Sequence, residues 1–250
     1  MFPIRDHNPS GRRPWVTYAL IAINLAVFAS YFSLFADEAR LSAFLGRWAL
    51  IPARIASGEG YETILTSMFL HGGLLHLGGN MLFLWIFGDN LEETFGHLGF
   101  LLFYLACGLA AAIAQIWPMP YSGVPMVGAS GAIAGVMGGY LLLFPRARVD
   151  VMVILVIVLR LITLPAWLML GVWFAIQLAG SWSSFGVSQG GVAYLAHAGG
   201  FAAGVLLTLP WWLRRGGPRQ WRRTHGHPPH PATPVGERPS SIPTVRRRRR

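Results

Sequence analysis

Of the chain's 250 residues, 54% are hydrophobic and only 12% are charged, and the mean hydropathy is +0.48; an ordinary soluble domain, with about 25% charged residues, is excluded, and a polytopic membrane protein is indicated. The single cysteine, Cys107, excludes a disulfide framework and a cysteine metal site. The net charge of +10 is carried by arginine without any lysine, and eleven of the arginines follow Leu213, so the charge belongs to a tail and no nucleic-acid partner is expected.

About 20 apolar helical residues cross a hydrocarbon core of about 30 Å. Six uncharged runs approach that size in chain order: 16–35, 64–87, 97–117, 123–144, a shorter 164–180, and 192–213. The expected fold is therefore an all-α bundle of six transmembrane helices. Arg5, Arg12 and Arg13 ahead of the first run also fit a signal peptide, but the run is longer than the roughly 7–15 residues of an h-region, which favours a retained anchor. Segment 151–159 is too short to span and stops at Arg160, so it reads as an interfacial or re-entrant piece.

An even number of spans puts both termini on one side. Arginines cluster before residue 16, between the fourth and fifth runs and after residue 213, whereas only Arg40, Arg47 and Arg54 fall on the other side, so both termini are expected to be cytoplasmic. This divides the chain into a cytoplasmic segment 1–15, a membrane domain 16–213 and a cytoplasmic tail 214–250. The tail is rich in Arg, Pro and His and too poor in apolar residues to form a core, so it is expected to be disordered. Its arginines suit anionic lipid, at about 1 kcal/mol each near the surface. His225, His227 and His230 lack a fixed geometry there, and neither a metal nor a cofactor is expected.

Polar residues inside the spans are costly and mark function. The second run carries HGGLLHLGGN, with His71, His76 and Asn80; the fourth carries VGASGAIAGVMGG, with Ser130; the sixth carries AHAGGFAAG, with His197. Counting about 1.5 Å per residue from helix starts near 73, 125 and 192 places His76, Asn80, Ser130 and His197 in one outer layer, about 5–12 Å deep. His76 and Asn80, four apart, share a helix face. Gly131, Gly135 and Gly139, and Gly200 and Gly204, form small-residue rows that let helices approach closely, as a hydrogen bond between Ser130 and His197 requires. Taken singly, each residue has a plain reading: serine among glycines as packing, a histidine bonded to a backbone carbonyl, His71 as a loop or interface residue. Together they supply a nucleophile, a base and donors at one level.

Three motifs in order, TSMFLHGGLLHLGGNMLFLWIFG (66–88), GASGAIAG (128–135) and AHAGGFAAG (196–204), resemble the rhomboid family of intramembrane serine proteases across residues 54–213. The resemblance implies a six-span core, a Ser130 nucleophile, a His197 general base, and an oxyanion site using His76, Asn80 and the Ser130 backbone N–H. It further implies cleavage of transmembrane segments of other proteins, near the outer face of the cell membrane. Every Asp and Glu falls outside the outer layer, which indicates a Ser-His dyad without a carboxylate. Ala134 stands where some relatives carry an aromatic ring that stacks on the histidine, leaving open what orients His197. The loop 181–191 suits either a cap over the site or an ordinary connection, and the fifth run either a movable side or lipid-facing packing. The rival functions are an inactive rhomboid-like protein that binds membrane helices, which would usually lack the serine or histidine, and a small transporter. A transporter would need polar residues through the whole membrane depth.

Overall fold

A computed structural model describes residues 2–155, 158–183 and 193–224. Strand β1 (Phe2–Asp6) leads to helix α1 (Trp15–Tyr31), which continues as a 3-10 turn to Ala36. Short helices α2 (Glu38–Trp48), α3 (Pro52–Ala56) and α4 (Thr63–Thr66) fill the long connection to α5 (Leu74–Phe95) and α6 (His97–Ile116). Helix α7 (Ser130–Leu143), strands β2 (Arg148–Leu155) and β3 (Val158–Pro165), and helices α8 (Ala166–Ser183), α9 (Tyr194–Arg214) and α10 (Pro218–Thr224) complete the order.

Helix α7 is the axis of the bundle. Residues 131–140 are buried on every side, with α5, α6, α8 and α9 packed around them. A sequence of small and apolar residues suits a helix with no solvent face. Its 14 residues rise only about 21 Å, short of a bilayer core. The expected helix over 123–144 is thus corrected: residues 123–129 are not helical. Leu50 and Met126 form an antiparallel bridge there, and the Gly128 N–H donates to the Ser67 carbonyl at 2.9 Å.

At the opposite end of the bundle, Glu92 is buried and its carboxylate accepts from the Val16 and Thr17 N–H groups at 2.9 and 2.8 Å and from the Thr17 hydroxyl at 2.7 Å. It thereby satisfies first-turn donors that α1 cannot satisfy itself, because Pro14 caps nothing with its side chain.

The all-α expectation is corrected by a three-stranded antiparallel sheet in the order β1-β2-β3. Of segment 151–159, expected as an interfacial or re-entrant piece, residues 151–155 lie in β2 and 158–159 in β3. The run is rich in β-branched residues and alternates: Val149 and Val151 are fully buried, while Asp150 between them points away. The expected segment 1–15 contributes β1 to this sheet. In the tail 214–250, α10 is ordered: Trp221 packs on Trp212 at 4.9 Å and donates to the Leu142 carbonyl at 3.1 Å. The disorder expected for 225–250, and the three tail histidines, lie outside the described residues, as does most of the loop 181–191.

Apolar helices make this a membrane protein. Among the described residues, Trp15–Ala36 and His97–Ile116 are long and apolar enough to cross a membrane. The pair Thr63–Phe69 and Leu74–Phe95, bent by 92°, adds a third span if counted as one broken element, and α7 and α8 are shorter apolar helices.

Two carboxylates hold β1, with opposite pH signs. Hydrogen bonds from Thr163, Arg5 and His7 keep the Asp150 carboxyl well below the usual range. Burial pushes Asp6 up to about 6 against the lowering effect of the Tyr140 hydroxyl, which donates to it at 2.6 Å. The Asp150 contribution is complete above the unfolded value of about 3.9 and is lost on acidification; the Asp6 contribution is complete below that value and is lost as pH rises through about 6. Hydrogen exchange of the β1 amides is therefore expected to be slowest near about pH 4 and faster by pH 7 after correction for intrinsic rates. Asp6→Asn should remove the loss of protection above about pH 4, and an unchanged profile in that variant would contradict the assignment.

Candidate active site

Ser130 is the first residue of α7, His76 lies in the first turn of α5, and His197 in the first turn of α9. The three meet because three helix N-termini meet, not because each residue lies some turns down a full-length span. In the second run the chain breaks sharply at Gly72 and Gly73, and α5 starts afresh at Leu74. In the fourth run Gly128, at φ +128°, turns an extended segment into α7. A side chain there would be strained, and a Cβ would come within 2.9 Å of His76 Cε1 and Nε2 and 3.4 Å of Ser130 Oγ. The His76 ring edge and the Ser130 hydroxyl thus flank the bare Cα of Gly128.

Ser130 Oγ and His197 Nε2 are 2.7 Å apart. Backbone packing makes this approach possible: a Cβ on Gly200 or Gly204 would run into the carbonyl oxygens of Gly131 and Gly135 on α7. The amide of Ala196, one residue before His197, donates to Gln115 Oε1 at 3.1 Å, so α6 fixes the first turn of α9.

Asn80 follows one turn below His76, is buried, and its Nδ2 has no acceptor among the described residues. His71 is fully buried, its ring 5.2 Å from that of His76. Its backbone N–H donates to the Tyr31 hydroxyl at 2.7 Å, and that hydroxyl donates to its carbonyl at 2.9 Å. His71 thus sits in the loop ahead of α5.

Two neighbours of His197 come from α8. Gln177 Oε1 lies 2.8 Å from His197 Nδ1, and the Trp173 ring is 5.9 Å from the imidazole at 36°. Neither was singled out by the depth argument, although Gln177 is the only amide side chain in the run 164–180 and the rule that polar residues in spans carry function applied to it. Ala134, where an aromatic was considered, is buried inside α7.

The Ser130 N–H, at a helix start, has no intrahelical acceptor, and the positive end of α7 favours developing negative charge. A hydroxyl paired with an imidazole, beside a second imidazole that has a buried amide one helical turn below it, is equipped for acyl transfer. Among the described residues no cluster of three or more metal-ligating side chains occurs.

A family model described as the Rhomboid domain matches residues 58–214. Rhomboid protein 1, mitochondrial, of Saccharomyces cerevisiae is 30% identical over 214 residues, covering 83% of this chain and 56% of that protein. Rhomboid protease GluP of Bacillus subtilis is 36% identical over 129 residues, covering 52% and 24%. RHOMBOID-like protein 5 of Arabidopsis thaliana is 28% identical over 170 residues, covering 56% and 55%. The chain thus spans 56% or less of the length of these curated relatives.

Proposed function

The chain belongs to the rhomboid family, and from that premise we propose that it is an intramembrane serine endopeptidase acting on transmembrane segments of other membrane proteins. The observation that carries this reading is the 2.7 Å approach of Ser130 Oγ to His197 Nε2 between helices expected to be embedded in lipid.

In the proposed reaction Ser130 Oγ attacks the scissile carbonyl while its proton passes to His197 Nε2. The carbonyl oxygen becomes an oxyanion, held by the Ser130 N–H and by donors from His76 and Asn80. One such donor typically supplies about 10²- to 10³-fold in rate. The tetrahedral intermediate collapses as His197 delivers the proton to the leaving amine. Water then attacks the acyl-enzyme, again with His197 as base, and the acid leaves. A substrate helix must unwind locally to present a peptide bond, so residues of low helix propensity near the cleaved bond favour cutting.

Helices α1, α5, α6, α7, α8 and α9 would form the six-span bundle, with both termini cytoplasmic and the site toward the outer face of the cell membrane. The arginine distribution supports that orientation. The arginine-rich tail would lie against anionic lipid.

The test is direct. Purified protein in detergent or liposomes should cleave a membrane-spanning reporter and become labelled at Ser130 by a fluorophosphonate, as mapped by mass spectrometry. A folded protein that binds the reporter but neither cuts it nor reacts with the probe would replace this reading with that of a helix-binding relative.

Gly128 gives a second check. Gly128→Ala strains the turn into α7 and drives a methyl group into His76. A loss of about 10- to 100-fold in kcat is expected, with little change in substrate binding, since a displacement near 1 Å costs on the order of 10²-fold. Wild-type kcat in this variant would remove His76 from the proposed oxyanion site.

A further inference from the structure

The His197 imidazole works as a base only when its Nε2 is unprotonated and faces Ser130. That requires the ring proton on Nδ1, and a neutral imidazole exchanges freely between its two tautomers unless a neighbour chooses one. Gln177 is 6% exposed and sets its Oε1 2.8 Å from Nδ1, while its Nε2 donates to the Trp173 carbonyl at 3.3 Å. The second contact orients the amide, so the atom facing the imidazole is an acceptor. The other tautomer would oppose two lone pairs at Gln177 and withdraw the acceptor from the Ser130 hydroxyl.

Resting on the protease reading, we propose that Gln177 is the positioning residue of the His197 base, with the Trp173 ring covering the imidazole face that Ala134 is too small to cover. The register supports it. Trp173 and Gln177 are four apart on α8, His197 and Phe201 four apart on α9, and each pair presents one face to the other. Phe174 stacks on Phe201 at 4.4 Å and 20°, and Trp173 lies 6.2 Å from the same ring. A neutral amide suits this location, because it selects the tautomer without placing a charge in the apolar bundle. The acceptor and the base sit on different helices, so the base is correctly set only while α8 is seated against α9. The N-terminal end of α8, away from Gln177, is pinned by the Ala166 and Trp167 N–H groups, which donate to the Ala147 and Pro145 carbonyls at 2.8 Å each.

The experiment compares wild type, Gln177→Leu and Gln177→Glu. Histidine-selective 15N NMR in detergent, with His197 assigned through its loss in His197→Gln, should show the Nδ1–H tautomer in wild type and a mixture in Gln177→Leu. In the leucine variant kcat should fall about 10- to 100-fold with KM nearly constant, the range expected for one lost buried hydrogen bond. In Gln177→Glu a carboxylate beside the imidazole stabilises its protonated form, so the acidic limb of kcat/KM should move to higher pH by about one unit or more. A merely structural role would lower the folded fraction without moving either the tautomer or that limb. An unmixed Nδ1–H tautomer with wild-type kcat in Gln177→Leu, or an unshifted limb in folded Gln177→Glu, overturns the proposal. Persistent cleavage by Ser130→Ala would instead sink the protease reading, and the tautomer measurement, which needs no turnover, would still decide the role of Gln177.

Discussion

Ser130→Ala is expected to lower cleavage of a membrane-spanning reporter about 10⁴-fold or more, abolish fluorophosphonate labelling and leave the melting temperature almost unchanged. Loss of the nucleophile leaves only the catalysis that binding and oxyanion donors provide unaided. Stability is spared for a local reason. Ser130 is the first residue inside α7, not its cap: Ala129 holds the cap position, and no side chain makes a capping bond. The hydroxyl spends its hydrogen bond on His197 rather than on the helix, and alanine is the better helix former. The variant therefore separates chemistry from folding, and a melting temperature lowered together with activity would mean that the hydroxyl holds α7 and α9 together. His197→Ala should show a comparable loss of activity. Undiminished cleavage by either variant, when folded, excludes the dyad.

The bundle was legible in the sequence because apolar runs of membrane length are a strong signal, and each of the six runs contains a helix. The candidate site was legible for another reason: hydroxyl, imidazole and amide side chains stand out where nearly everything else is apolar. The residues meet at helix starts, however, and not at a common depth along full-length spans. Ser130 was placed five residues down a helix starting near Pro125, yet α7 begins at Ser130 itself. Apolar residues such as Val124 and Val127 say nothing about where a helix begins, whereas Gly128 with its positive φ does. The sheet was missed for a related reason. A short apolar run does not distinguish a strand from a membrane-surface segment, and β1 pairs with β2 across more than 140 residues of chain. Gln177 is a lone amide in an apolar run, and nothing in the sequence pairs it with His197, although a buried amide is as costly in lipid as the other polar groups. Glu92 lies just past the second run and caps α1, a role set by tertiary packing that no local pattern reveals.

Gly204→Val should be the most damaging single substitution outside the catalytic groups. A Cβ at Gly204 falls on the carbonyl of Gly135, meeting its oxygen, carbon and Cα, and one at Gly200 falls on the carbonyl of Gly131. These are backbone atoms of the bundle's central helix, so no side chain can swing aside and the two helices must separate. Overpacking in a tight core costs about 1–3 kcal/mol, and the rigid obstacle argues for the upper end or beyond. The catalytic effect is expected to exceed the effect on stability. α7 carries Ser130 and α9 carries His197, so parting them by about 1 Å turns a 2.7 Å hydrogen bond into a contact too long to pass a proton, a displacement worth on the order of 10²-fold in rate. Gly171→Ala is the control. Nothing lies within 4 Å of its added Cβ, and that variant should be neutral or stabilised by up to about 1 kcal/mol, as alanine replaces glycine within α8. Thermal unfolding in detergent and reporter cleavage measured on both variants decide the matter. If Gly204→Val keeps wild-type kcat and melting temperature, the glycine rows are incidental to how serine and histidine are brought together.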